Sequence, residues 1–80
     1  MDFQEFGLAI AKLRKIKKIS QKELAENIGI SRATLSSFEN GRAVDIGFRK
    51  VLHITDYLGY TLDLKEKSRF PTFEELKNDR

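Results

Sequence analysis

Two short helical patterns separated by only a few residues constrain this sequence more than any other feature: SQKELAENIGISRATLSSFENGR, residues 20–42. Ser20 reads as the N-cap of the first, and Glu23, three residues on, suits a capping box. Leu24, Ala25 and Ile28 give that helix an apolar face, and Gly29 supplies the positive φ needed at a helix end followed by a sharp turn. Ser31 caps the second helix, which turns Leu35 and Phe38 inward and stops near Asn40 and Gly41. Between the patterns lie Gly29, Ile30 and Ser31, too short a stretch for two helices to lie side by side. The small side chain of Ala25 marks the crossing point. The segment therefore predicts a steep corner of two helices around a tight turn.

Further patterns flank this corner. Asp2 and Glu5 predict a capping box for a first helix, in which Phe6, Ile10 and Leu13 share one face. Lys12, Arg14, Lys15, Lys17 and Lys18 crowd its last turns, where cations suit the negative end of the helix dipole, so part of this cluster is structural. A fourth helix is expected over roughly residues 45–58, carrying Phe48, Val51, Leu52, Ile54, Thr55 and Leu58, with Gly59 as its stop. Tyr60, Leu62 and Leu64 then alternate with polar residues, a strand pattern. Pro71 and Thr72, with Glu75 as capping partner, restart a short helix. The expected fold is mainly α: a compact domain of four to five helices with a C-terminal strand. Its divisions are residues 1–59 for the helical domain, 60–66 for the strand and 67–80 for a tail.

A lone strand cannot satisfy its own backbone ladder, and no second strand is apparent, so two copies pairing through Tyr60, Leu62 and Leu64 form the expected homodimer. With 80 residues the core alone is marginal, which favours the same conclusion. The chain has no cysteine and one histidine, His53, so disulfides, thiolate metal sites and His-pair zinc sites are excluded and no cofactor is expected. No phosphate-cradling glycine loop or catalytic constellation appears, which argues against an enzyme. No apolar run reaches membrane-spanning length and no signal-peptide pattern opens the chain, so a cytoplasmic location is the default. The net charge of +3 is unevenly distributed: residues 12–50 hold ten lysines or arginines against four carboxylates. A basic first half suits a polyanion.

Taken with that charge, the tight corner has a purpose: it holds the second of its helices out as a rigid probe for the DNA major groove. Residues 20–42 resemble the helix-turn-helix of the phage repressor/Cro (Xre) family. Ser20, Gln21, Leu24, Ala25, Gly29, Ile30, Ser31, Leu35, Ser36, Glu39, Asn40 and Gly41 fall in register with that family's pattern. The following NGRAVDIGFRKVLHITDYLGYTLDLKEK and FPTFEEL resemble the small HipB-like antitoxins of toxin–antitoxin modules, repressor domains extended by a strand and tail.

The resemblance implies a palindromic double-stranded operator, no membrane partner and a HipA-type kinase as toxin. It implies that Gln21 bonds a phosphate, that Arg32, Ala33, Ser36 and Ser37 meet base edges, that Thr34, Asn40 and Arg42 are placed for the sugar-phosphate backbone, and that Ser31 belongs to the same DNA surface. Arg32 departs from the glutamine common at its position, which leaves open the base it reads. Glu39 is expected to pair with Arg14 or Lys15. Phe70, Phe73 and Leu76 in the tail serve either as a cap on the core or as a partner-binding segment. A free-standing repressor without a toxin differs from this reading only in that tail and in its genomic neighbourhood.

Overall fold

A computed structural model describes residues 2–42 and 44–67. Among the described residues there are four helices: α1 (Phe3–Ile16), α2 (Gln21–Ile28), α3 (Arg32–Glu39) and α4 (Phe48–Tyr57). The expected helix after Pro71 and the tail residues Phe70, Phe73 and Leu76 lie outside the described residues. α3 packs on both α1 and α2, and α2 also packs on α4. No helix among the described residues is long and apolar enough to cross a membrane.

Each helix end is built from the local sequence. Asp2 accepts the Glu5 backbone N–H at 2.8 Å while Glu5 accepts the Asp2 N–H at 3.0 Å, completing the capping box of α1. At Ser20 only half of the expected box forms: its hydroxyl accepts the Glu23 N–H at 3.0 Å. The Glu23 carboxylate instead accepts the Tyr57 hydroxyl at 2.5 Å, a contact from α2 to α4 that sequence spacing cannot show. Helix α1 ends with Ile19 N–H on the Arg14 carbonyl and Lys18 N–H on the Lys15 carbonyl, a Schellman motif. Its left-handed position is Lys18, at φ 61°, where glycine is usual. Helix α4 closes with the same paired bonds, Tyr60 to Thr55 and Gly59 to Asp56, but with glycine at that position.

The core gathers Ile10, Leu24, Ala25, Ile28, Leu35, Phe38, Ile46, Val51, Ile54 and Leu58. Phe38 stands at its centre, with Phe3 and Phe6 edge-on at ring distances of 5.7 and 6.2 Å. Gly7 lets α1 approach α3: a Cβ there would sit 2.0 Å from the Phe38 carbonyl oxygen. Ile46, in the loop before α4, enters the core without any periodic signal in the sequence.

Helix α4 is shorter than expected. Its N-cap is Gly47, and Asp45 lies before it, accepting the Gly47 N–H in a two-residue turn at 2.9 Å. Phe48 is 70% exposed and Leu52 41% exposed, so neither fills the interior of a single chain. The helix packs on α2, and Val51, Ile54, Thr55 and the C-cap Leu58 are its buried positions. Leu58 is thereby committed to the core of its own chain. No strand occurs among the described residues, and Tyr60, Leu62 and Leu64 are exposed, Leu64 almost wholly.

Candidate nucleic-acid interface

The corner between α2 and α3 is built as its residues require. Gly29 adopts φ 84° and ψ 35°, and Gly29 and Ile30 both donate to the Ala25 carbonyl, closing α2 within one residue. Ser31 then caps α3, its hydroxyl oxygen accepting the Thr34 N–H at 3.0 Å and donating to Thr34 Oγ1 at 2.8 Å. Leu24, Ala25 and Ile28 of α2 and Leu35 and Phe38 of α3 are buried together. With one face of α3 fixed in the core, the opposite face stands out from the domain.

That outer face carries the expected residues. Arg32 and Ala33 at its N-terminal end are exposed, as are Ser31 at the cap and Asn40 and Arg42 beyond its C-terminus. Thr34, Ser36 and Ser37 are half-buried. Asn40 forms the C-cap, its side-chain amide donating to Ser36 Oγ at 3.4 Å. The exposed Arg32 is free to present its planar five-donor guanidinium outward.

Behind this face a charged pair ties α3 to α1. Arg14 Nε donates to Glu39 Oε2 at 2.7 Å and Arg14 Nη2 donates to Glu39 Oε1 at 2.9 Å. Both residues are buried, and Arg14 Nη1 also donates to the Ile19 carbonyl at 2.7 Å. Of the two partners expected for Glu39, Arg14 is the one found. The sequence placed Arg14 among the helix-end cations, and only its spacing from the core residues hinted at burial. Gln21, at the start of α2, donates its amide to Glu39 Oε1 at 3.0 Å. Three elements therefore meet at one carboxylate, and Gln21 remains half-buried at the edge of the projecting surface.

On the opposite side of α2, Asn27 donates to Tyr57 Oη at 3.3 Å while Tyr57 donates to Glu23. The hydrogen bond to Glu23 raises the Tyr57 pKa above its ordinary value of 10.0, with desolvation and the Glu23 charge acting in the same direction.

A buried helix pair crossing at a glycine turn, with an exposed outer helix bearing an arginine, defines a helix-turn-helix protein of the Xre-like type. The sequence pattern described as a helix-turn-helix domain matches residues 7–67, and the chain belongs to that family. Comparison with curated proteins and with solved structures finds no match.

Proposed function

We propose that this protein is a sequence-specific DNA-binding repressor acting as a twofold homodimer. Within that role it serves as antitoxin and autorepressor of a toxin–antitoxin operon, neutralising a HipA-type kinase by complex formation. The observation that carries the DNA reading is the outer face of α3, where Arg32 and Ala33 stand exposed on a helix locked from behind by Arg14 and Glu39. Arg32 takes guanine O6 and N7 together, Ala33 meets a thymine methyl, and Ser36 and Ser37 reach adjoining edges. Ser31, Thr34, Asn40, Arg42 and Gln21 hold the sugar-phosphate backbone and set the register. A cytoplasmic location fits this proposed action on DNA.

Dimerisation is supported by the exposed apolar surface. Leu62 lines a groove of about 490 Å³ with Phe3, Phe6, Phe48 and Val51. Contiguous apolar area of this kind marks an interaction surface. A second copy pairing through Tyr60, Leu62 and Leu64 covers it while the two extended segments satisfy each other's facing backbone groups. The antitoxin assignment rests on the resemblance of the segment beyond Asn40 to HipB-like proteins, and the tail with Phe70, Phe73 and Leu76 is its proposed partner-binding segment.

Co-purification from the native operon tests the whole reading. The antitoxin reading expects a kinase-type polypeptide to be retained together with promoter DNA. Promoter DNA retained without a second polypeptide identifies a free-standing repressor. Loss of both contradicts the proposal.

A further inference from the structure

We propose that Lys12 and Lys15 of α1 form, with Gln21 and Asn40, a cradle for phosphates of the DNA backbone, making α1 part of the nucleic-acid interface. This rests on the DNA-binding reading above and extends it to an element that the corner motif leaves out. Lys12 and Lys15 are three residues apart on α1, so they share a face, and both are exposed. They line one cavity of about 480 Å³ together with Gln21, from the start of α2, and Asn40, the C-cap of α3. Three helices thus contribute two lysines, a glutamine and an asparagine to the lining of one opening. Ammonium and amide N–H groups suit phosphate oxygens.

The electrostatics of the cavity favour an anion. Glu39 is the carboxylate lining it, and it is 3% exposed. Its Oε2 accepts Arg14 Nε, and its Oε1 accepts both Arg14 Nη2 and Gln21 Nε2. Arg14 balances its charge, so the two lysines remain in excess. Neither lysine forms an ion pair among the described residues. The neighbouring cations of α1 are placed differently. Lys17 holds its ammonium 5.6 Å from the Tyr60 ring centre, and Lys18 occupies the left-handed end of the helix. Compensation of the helix dipole accounts for Lys15, in the last turn of α1, more fully than for Lys12, which stands just before that turn. The cavity is continuous with Gln21 and Asn40 of the projecting surface, so a duplex lying on α3 brings its backbone across α1. Contacts there carry no base information and act equally on any sequence.

Salt titration of the full-length chain tests the cradle, using K12Q/K15Q, K17Q/K18Q and the unaltered protein on a duplex of scrambled sequence. Each neutralised phosphate contributes about 0.9 to the slope of log affinity against log salt, so K12Q/K15Q should lower that slope by between about one and two. K17Q/K18Q removes the same charge outside the cavity and should change the slope much less. Far-UV circular dichroism and melting temperature verify that both variants are folded. An unchanged slope in K12Q/K15Q, with the parent protein still binding, overturns the cradle and leaves the DNA reading intact. Equal falls in both variants show diffuse attraction and also overturn it. A parent protein that binds no duplex removes the cradle and the DNA reading together.

Discussion

Arg14 and Glu39, twenty-five positions apart, form a buried two-pronged pair that ties α1 to the C-terminal end of α3. Burial makes each member dependent on the other, because a charge left alone in the interior has no water to solvate it. Glu39→Ala should destabilise the domain by about 3–5 kcal/mol in chemical denaturation. The double replacement Arg14→Met with Glu39→Leu should recover much of that loss, since it removes both charges and keeps apolar volume. A double variant no more stable than Glu39→Ala would show that the pair itself, and not the stranded charge, carries the stability.

Gly7 allows the close crossing of α1 and α3. Gly7→Ala would gain about 1 kcal/mol of helix propensity on an isolated helix. Here the new methyl meets the Phe38 carbonyl at 2.0 Å, and backbone cannot swing away as a side chain can. The net effect should be a loss of about 1–3 kcal/mol, the usual cost of overpacking, read as a lower melting temperature.

Lys18 and Gly59 occupy equivalent positions in two Schellman motifs. Left-handed backbone costs a non-glycine residue about 1–2 kcal/mol. Lys18→Gly should therefore raise stability by about 1 kcal/mol, and Gly59→Ala should lower it by a similar amount. Denaturant midpoints with an unchanged slope would record both.

Tyr57 provides a pH readout of the contact between α2 and α4. Its folded pKa is raised, so its contribution to stability is fully present below the unfolded tyrosine value near 10.0 and is lost as pH climbs through the higher folded value. Phenolate absorbance should show Tyr57 ionising above the ordinary range. Glu23→Gln should bring it back toward that range, because the carboxylate acceptor is the main cause of the shift. Tyr57→Phe should abolish this alkaline component of the stability profile.

The part of the fold that could be read from sequence was the part governed by local rules. Caps at Asp2, Ser20 and Ser31, the turn at Gly29, and the inward set of Leu24, Ala25, Ile28, Leu35 and Phe38 all follow from spacing and backbone preference, and all are observed. What depended on distant neighbours was not legible. Phe48 and Leu52 satisfy a helical apolar pattern yet face outward, because periodicity cannot tell a core face from an interaction face. Ile46 enters the core from a loop that has no period. Gly7 looked like an unremarkable helical residue until the Phe38 carbonyl was placed beside it. Glu23 served its local cap only through its backbone, since Tyr57 was unforeseen. For the candidate site, the outward position of Arg32 and Ala33 was readable. The convergence of Lys12, Lys15, Gln21 and Asn40 was not, because it needs three helices in place.

Dimer formation through the segment after α4 predicts that Leu62→Asp weakens association while leaving the helical domain folded. Leu62 is exposed in the single chain and lines the groove beside Phe48, so its replacement should cost little in the monomer. Buried in a dimer, the new carboxylate would be costly. Sedimentation at low micromolar concentration should show monomer for Leu62→Asp and dimer for the parent chain; a dimer in both would move the interface elsewhere.

Sequence reading by α3 is the central claim, and selection of bound duplexes from a randomised pool, with the parent chain and Arg32→Ala in parallel at one salt concentration, tests it most directly. The parent should enrich a palindrome whose half-sites lie about one helical turn apart, roughly 34–36 Å between centres. Arg32→Ala should lose preference at one guanine in each half-site, at a cost of about 1–3 kcal/mol on the selected sequence, and keep the remaining positions. Gln21→Ala, as a phosphate-contact control, should weaken all sequences alike. A parent chain that enriches no sequence, or an Arg32→Ala chain that enriches the same palindrome with undiminished preference at every position, would contradict the account.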